Sequence, residues 1–278
     1  MNPHAARSVS PLELLKSIAV NRSLIFSLIE RDIFGRYRGA TLGLLWSFFN
    51  PLLMLIVYTF VFSVVFKARW SGGTDSKTEF AMILFSGLMV FNIFSECIGR
   101  APLLVVNNVN NVNYVKKIIF PLEVLPLVAL GTALFHFIIS VSVWMAFYLI
   151  FFGIPPLSML YLPIILLPLI LLIMGFSWIL ASLSVYLRDI VHVVGVITTV
   201  IMFLSPVFYP VSTLPEKYQA IVRLNPLADI LEQARGAMIW GRGVDWLNWT
   251  LQMCVAAAIA WAGFAWFQKM RKGFADVI

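Results

Sequence analysis

Long uncharged apolar runs alternate along this chain with short charged or turn-forming segments. The longest lies between Glu123 and Arg188, 64 residues without Asp, Glu, Lys or Arg, broken near its middle only by Gly153-Ile154-Pro155-Pro156. About 20 apolar residues in helix cross ~30 Å of hydrocarbon, so this stretch predicts two spanning helices joined by a tight turn. The same reading over the whole chain gives six spans, at about 42–66, 80–100, 124–151, 159–186, 190–210 and 247–267. The fold class expected is therefore an all-α integral membrane protein with six transmembrane helices. Residues 1–278 form a single transmembrane domain, opened by an interface segment at 1–41.

Three segments outside the spans carry further pattern. From Pro11 to Arg38 the spacing predicts an N-terminal amphipathic interface helix, with Ile25, Leu28, Ile29 and Ile33 on one face and Ser27, Glu30 and Arg31 elsewhere around it. Such a helix lies on the membrane surface as an anchor, or offers a platform to a partner. Val105 to Pro121 reads VVNNVNNVNYVKKIIFP, and its five Asn side chains belong at a surface or in a protein-lined cleft, since amides are costly in hydrocarbon. Val109, Val112 and Val115 recur at near-helical spacing there, as in a docking helix, while a solvated loop is the plainer alternative. Val211 to Asp245 predicts two short amphipathic helices, the first capped by Ser212 and entered through Pro215 and Glu216, the second starting at Asn225-Pro226. In the second, Leu227, Ile230, Leu231, Ala234 and Met238 form the apolar stripe, with Asp229, Glu232 and Arg235 on the polar side. The pair reads as re-entrant external helices between spans five and six, or as a decoration packed on the bundle.

Composition agrees with a lipid-embedded core: 61% hydrophobic and 12% charged residues, against about a quarter charged in soluble domains. An even number of spans places both termini on one side. That side would hold 13 of the 20 basic residues, so the bias towards cytoplasmic Lys and Arg favours N-in and C-in. The net charge of +7 is scattered over loops rather than gathered in a dense run, which argues against nucleic acid as a partner. Cys97 and Cys254 sit in apolar segments without metal or redox spacing, and the first 40 residues show no cleavable leader pattern.

Chemistry of its own is sparse. There is no GxxxxGK[ST] phosphate loop and no HExxH motif, and His4, His136 and His192 lie on separate segments. His136 and Ser140, one helical turn apart, are the only pair that invites comparison with a base and nucleophile. Glu96 is nearly alone as an acid within a span, and Arg100 four residues later is positioned to neutralise it. Neither catalytic residues nor a metal site is expected, and without an ion relay the energy for transport would come from elsewhere. Gly35, Gly39 and Gly43 at four-residue spacing suggest close helix approach where span one begins, and Asn50-Pro51 should kink that span.

Several stretches together carry a resemblance: RDIFGRYRGATLGLLWSFFNPLLMLIVYTFVFSVVF at 31–66, VKKIIFPLEVLP at 115–126, SVYLRDI at 184–190, SPVFYPVSTLPE at 205–216 and NPL at 225–227. In this order they resemble the membrane subunit of ABC-2 type exporters of polysaccharides and polyol phosphates, the group of O-antigen, capsule and teichoic-acid permeases. The resemblance implies a homodimer of six-span subunits enclosing a channel in the bacterial inner membrane. It implies that a lipid-linked polysaccharide, undecaprenyl-linked and O-antigen-like, passes from cytoplasm to periplasm. Each copy would dock one cytosolic ABC ATPase subunit, which binds ATP and Mg that this chain does not bind itself. Alternatives are another cargo, such as teichoic acid, capsule, lipid or drug, or a scaffold without transport.

Matched by position, the resemblance implies ATPase coupling at Asn107, Asn110, Asn113, Lys116 and Lys117, with Arg188 and Asp189 in a second cytoplasmic turn. Arg31, Asp32, Arg36 and Arg38 would form the polar approach to span one. Helices at about 212–241, with Pro215, Asn225, Pro226 and Asp229, would be the external gate. A glycan offers hydroxyls and apolar CH faces, which suit aromatic walls better than fixed charges. Trp46, Tyr58, Phe62, Phe91, Trp144 and Tyr148 are the channel-lining candidates, although lipid-facing and packing roles are common for such rings.

Overall fold

The computed structural model describes residues 9–61, 70, 77–110 and 121–274, with the side chains of residue 77 and residues 107–110 outside that description. The described residues fold into helices joined by short turns, with no strand among them. Two helices open the chain, α1 (Pro11–Val20) and α2 (Arg22–Tyr37), and α3 follows at Trp46–Tyr58. The long α4 covers Lys77–Asn110 and α5 covers Leu125–Phe151. After a short helical entry through Leu162–Ile165 come α6 (Leu167–Tyr186) and α7 (Ile190–Leu204). Then come α8 (Glu216–Arg223) and α9 (Pro226–Ile239), followed by α10 (Trp246–Met270).

Among the described residues, five helical stretches are long and apolar enough to cross a bilayer: Gly43–Val61, Thr78–Val106, Leu122–Phe151, Leu157–Tyr186 and Trp246–Gly273. The fifth candidate of the hydropathy pattern differs. Helix α7 has only 15 residues, which at ~1.5 Å per residue reach roughly 22 Å, because Ser205-Pro206 ends it where a continuous span was expected. Its apolar run continues beyond the helix as irregular chain.

Helix α4 is the axis of the bundle. Its most apolar window is 83% buried within the chain, against 11% for the span containing α3, so α4 is walled in by protein while α3 stands at the periphery. Helices α5, α6, α7 and α9 pack around α4, and α10 packs along α6. Two buried indoles close polar accounts inside this core: Trp144 Nε1 donates to Met82 O at 3.2 Å and Trp178 Nε1 to Glu123 O at 3.1 Å.

Close helix approach is made by glycines other than those the spacing suggested. A Cβ on Gly263 would lie 2.2 Å from the Gly175 carbonyl oxygen, and one on Gly175 would lie 2.7 Å from that of Ile259, so α6 and α10 touch backbone to backbone. Gly35, Gly39 and Gly43 meet nothing within 4 Å. Gly39 and Gly43 instead take φ of 87° and 51° and turn the chain between α2 and α3, a left-handed geometry that favours glycine. Pro51 lies inside α3, within its helical run.

The N-terminal segment is two helices rather than one, broken at Asn21, whose side chain donates back to Ser17 O at 2.7 Å. Ile25, Leu28 and Ile33 are buried as the apolar face predicts, and Ile29 presses on Gly131 of α5, where a Cβ would come within 2.3 Å. At its far end α4 runs through Asn110 without a break, so 105–110 are helical and continuous with the helix of span two. Residues 111–120 lie outside the described residues.

Between α7 and α10, Asn225 does start α9, its side chain accepting from Leu227 N at 3.0 Å with Pro226 in the first turn. Ser212 does not cap α8; it lies within a single 3-10 turn at Val211–Thr213, and Pro215 stands at the helix start without a side-chain cap. Arg235, placed by its spacing on the polar side of α9, is instead 1% exposed. Its guanidinium fills the space left by Gly87, where a Cβ would clash, so the helix is enclosed on a second face by α4.

Candidate functional site

Three pairs of residues, each four apart on its own helix, meet where α2, α4 and α5 converge. On α2 the pair is Asp32 and Arg36, on α4 Glu96 and Arg100, on α5 Thr132 and His136. They form two rungs about one helical turn apart. In the first, Arg100 donates both to Asp32 Oδ1 at 2.6 Å and to Oδ2 at 2.7 Å, and Thr132 Oγ1 donates to Asp32 Oδ2 at 2.7 Å. In the second, Arg36 donates to Glu96 Oε1 at 2.7 Å, and His136 Nδ1 lies 2.9 Å from Glu96 Oε2. Tyr37 OH completes this rung at 3.1 Å from His136 Nε2.

Counting upward on α2 and α5 while counting downward on α4 fixes the register: α4 runs antiparallel to both. The acid and base that share α4 are not each other's main partners. Arg100 Nη1 is 3.7 Å from Glu96, while its other nitrogen is committed to Asp32, so the local pair expected from spacing is one edge of a network across helices. Burial alone would raise the Asp32 pKa, but the hydrogen bonds from Arg100 and Thr132 and the charges of Arg100 and Arg36 hold its carboxyl below the usual range. Ser140 Oγ donates to the His136 carbonyl at 2.9 Å within its own helix. That bond satisfies the hydroxyl on the backbone rather than on the imidazole, so the two do not form a nucleophile and base.

Two cavities flank the ladder and share Arg36 as a wall. One, of about 400 Å³, is a cleft walled by α2, α3, α4 and α5, with Asn50, Asn92, Tyr58 and Ser140 among its lining. The other, of about 480 Å³, lies on the far side and includes Arg31, Asp32, Arg100 and Leu103. Of the aromatic candidates, Tyr58 faces the first cavity, while Trp46 and Tyr148 are partly exposed elsewhere. Phe91 and Trp144 are 2% and 0% exposed and pack within the core, Trp144 stacking on Tyr148 at 4.7 Å between centroids. Phe62 lies outside the described residues.

Arg38, Arg188 and Asp189 are exposed, the last two in the turn between α6 and α7. Asn107 and Asn110 belong to the last turns of α4 without described side chains, and Asn113, Lys116 and Lys117 lie outside the described residues. Immediately after that stretch Glu123 is 2% exposed and draws distant parts of the chain together. It accepts from Arg271 Nη1 at 2.6 Å and from Ser17 Oγ at 3.2 Å, joining both terminal segments to the foot of α5. The residue pattern did not single out Glu123, because a lone acid at the end of an uncharged run reads as a boundary.

Helix α9 is fastened to the break after α7. Asn225 Nδ2 donates to Ser205 Oγ at 2.8 Å, and Arg235 donates to Pro206 O at 2.5 Å, Val207 O at 2.6 Å and Ile83 O at 3.2 Å. The carbonyls freed where α7 ends thus receive a buried cation, which also sits 4.5 Å over the Trp70 ring. Asp229 accepts from Gln252 at 3.1 Å, linking α9 to α10.

The chain that carries these candidate spans, the charge ladder and the helix pair α8–α9 matches a family model. The model described as ABC-2 type transporter matches residues 23–239, from the start of α2 to the end of α9. The chain belongs to the ABC-2 type transporter family. The family match contains both rungs of the ladder, the two cavities and the Arg235 anchor, and leaves out α1 and α10. Relatives are similar nearly end to end. The O-antigen export system permease protein RfbA of Myxococcus xanthus is 27% identical over 269 residues, covering 96% of this chain and 100% of the relative. An RfbA permease of Klebsiella pneumoniae is 25% identical, over 92% and 95% of the two chains. The capsule polysaccharide export inner-membrane protein CtrC of Neisseria meningitidis serogroup B is 25% identical, over 93% and 95%.

Proposed function

We propose that this chain is the membrane subunit of an ATP-driven exporter that moves a lipid-linked polysaccharide of O-antigen type from cytoplasm to periplasm. The observation that carries this reading is the near full-length similarity to O-antigen and capsule export permeases within one transporter family. Two copies would enclose the channel in the inner membrane, with N and C termini on the cytoplasmic side, and each copy would dock one ATPase subunit carrying ATP and Mg. The sequence has no phosphate loop of its own, which is the chemical reason for that partner. Six crossings follow if α7 and the irregular chain from Ser205 to Pro210 together traverse the bilayer, the freed carbonyls being met by Arg235 and Asn225 rather than by lipid. Helices α8 and α9 would then close the external mouth.

Coupling is assigned to the last turns of α4 and the residues that follow them in sequence, Asn107, Asn110, Asn113, Lys116 and Lys117, and to the exposed turn at Arg188 and Asp189. Replacing Lys116 and Lys117 together with Glu is expected to abolish surface polysaccharide while leaving membrane insertion intact. Unchanged surface polysaccharide in cells carrying that variant counts against the coupling assignment. Capsule export is the second reading, favoured by the similarity to CtrC. Complementation of two strains, one lacking an O-antigen permease and one lacking a capsule permease, decides between them. A scaffold would restore neither and would purify without an ATPase.

A further inference from the structure

We propose that Asn50 on α3 and Asn92 on α4 form a binding subsite for the neutral hydroxyl groups of a sugar, in the cavity above the Arg36–Glu96–His136 rung. The inference rests on the export reading above and adds the residues that hold the cargo. Both amides line the same cavity of about 400 Å³, both are exposed, and neither has a hydrogen-bond partner among the described residues. Asn92 stands within the span Thr78–Val106 and Asn50 within Gly43–Val61.

An amide left without a partner in hydrocarbon costs several kcal/mol on alkane-transfer reasoning, so this face is not built to meet lipid tails. Two serines of the cavity behave differently. Ser47 Oγ donates to Leu44 O at 2.7 Å and Ser140 Oγ to His136 O at 2.9 Å, so each is satisfied on its own helix. The two amides, with Ser95 beside them, have no side-chain hydrogen bond among the described residues, and each amide keeps two N–H and one carbonyl oxygen for a ligand. Apolar neighbours Met54, Leu88 and Phe137 line the same space and suit the CH faces of a pyranose ring.

Charge decides the class of ligand. Among the described residues, Arg36 is the one Lys or Arg of the cavity lining, and its guanidinium is committed to Glu96 at 2.7 Å, so a phosphate entering there would have to displace a carboxylate. A neutral polyol needs no such exchange. The volume falls in the roughly 300–1,000 Å³ range of small-ligand sites, enough for a short stretch of sugar rather than a lipid carrier.

The test uses the full chain assembled with its ATPase in cells. Cys254 is exposed and is replaced by Ser, while Cys97 is buried at 0% and stays. Asn92→Cys, and separately Asn50→Cys, are then labelled with a charged, membrane-impermeant thiol reagent, in cells that make the polysaccharide and in cells blocked in its synthesis. Labelling above the C254S background in the blocked cells, with protection when polymer is made, supports the subsite. No labelling at either position in the blocked cells places the face against lipid or a second copy, and overturns it. Equal labelling in both cell types means a wet cavity that the sugar does not enter, and overturns it as well. Independently, the Asn50→Leu/Asn92→Leu pair should lower export about tenfold, as expected from two lost hydrogen bonds, at unchanged membrane level. Full export by that pair also overturns the subsite. Failure of the unmodified chain to restore export in any strain strikes the export reading instead, and so the two failures are distinguishable.

Discussion

Arg235 shows how far a single residue's role depends on what surrounds it. A guanidinium at 1% exposure, with carbonyl acceptors at 2.5, 2.6 and 3.2 Å, holds α9 against both α4 and the irregular chain after α7. Arg235→Ala should cost at least about 3 kcal/mol, since hydrogen bonds to a charged group contribute about 1.5–3 kcal/mol each and the carbonyls would be left unmet. Arg235→Lys should fall between, because an ammonium lacks the planar fork that reaches separate carbonyls. Thermal unfolding of the purified chain in detergent, ranked wild type, Lys, Ala, checks the order. Asp32 makes a pH prediction. Its carboxyl pKa is lowered in the fold by Arg100 and Thr132, once their contributions outweigh burial. Such a group contributes stability above its unfolded value of about 3.9, and loses it as pH falls through the lower folded value. Unfolding temperature should therefore drop below about pH 4 in the native chain, with a shallower slope in Asp32→Asn.

At the scale of elements, the contact between α6 and α10 is a clean case of backbone proximity set by residue size. Gly263→Ala places a Cβ 2.2 Å from the Gly175 carbonyl oxygen, and backbone, unlike a side-chain tip, cannot swing aside. A loss of about 1–3 kcal/mol is expected, as for other overpacked contacts. Gly99→Ala on α4, where nothing lies within 4 Å, should be neutral or stabilising by up to about 1 kcal/mol. Expression level and unfolding temperature of the two variants side by side test the contrast. Most of this architecture was legible from the chain. Uncharged length alone marks the helices that became α3, α4, α5, α6 and α10. The exception is α7, where an unbroken apolar run conceals a helix end at Ser205-Pro206, since hydropathy records solvent preference and not backbone geometry.

For the molecule as a whole, the sites that matter join residues far apart in sequence. Glu123 bonds Ser17 and Arg271 across separations of 106 and 148 residues, tying both terminal segments to the start of α5. The acid is 2% exposed on its side chain and Arg271 is 15% exposed, so removing one partner leaves a buried charge. Glu123→Ala or Arg271→Ala is expected to cost about 3–5 kcal/mol, and the doubly exchanged Glu123→Arg/Arg271→Glu chain should recover part of it. A double-mutant cycle on unfolding temperature measures the coupling. The ladder of Asp32, Arg36, Glu96, Arg100, Thr132 and His136 has the same character. Each helix shows its own pair four residues apart, but only the antiparallel setting of α4 against α2 and α5 decides which acid meets which base. What the sequence by itself determined is what local composition dictates: uncharged length for the crossings, Asn225-Pro226 for the start of α9, and the missing phosphate loop. The tertiary structure alone decided the partners of Glu96 and Arg100, the burial of Arg235, and the glycines at which helices touch. Those depend on the relative positions of distant segments, and the period of a single helix records which face a residue occupies, never what that face will meet.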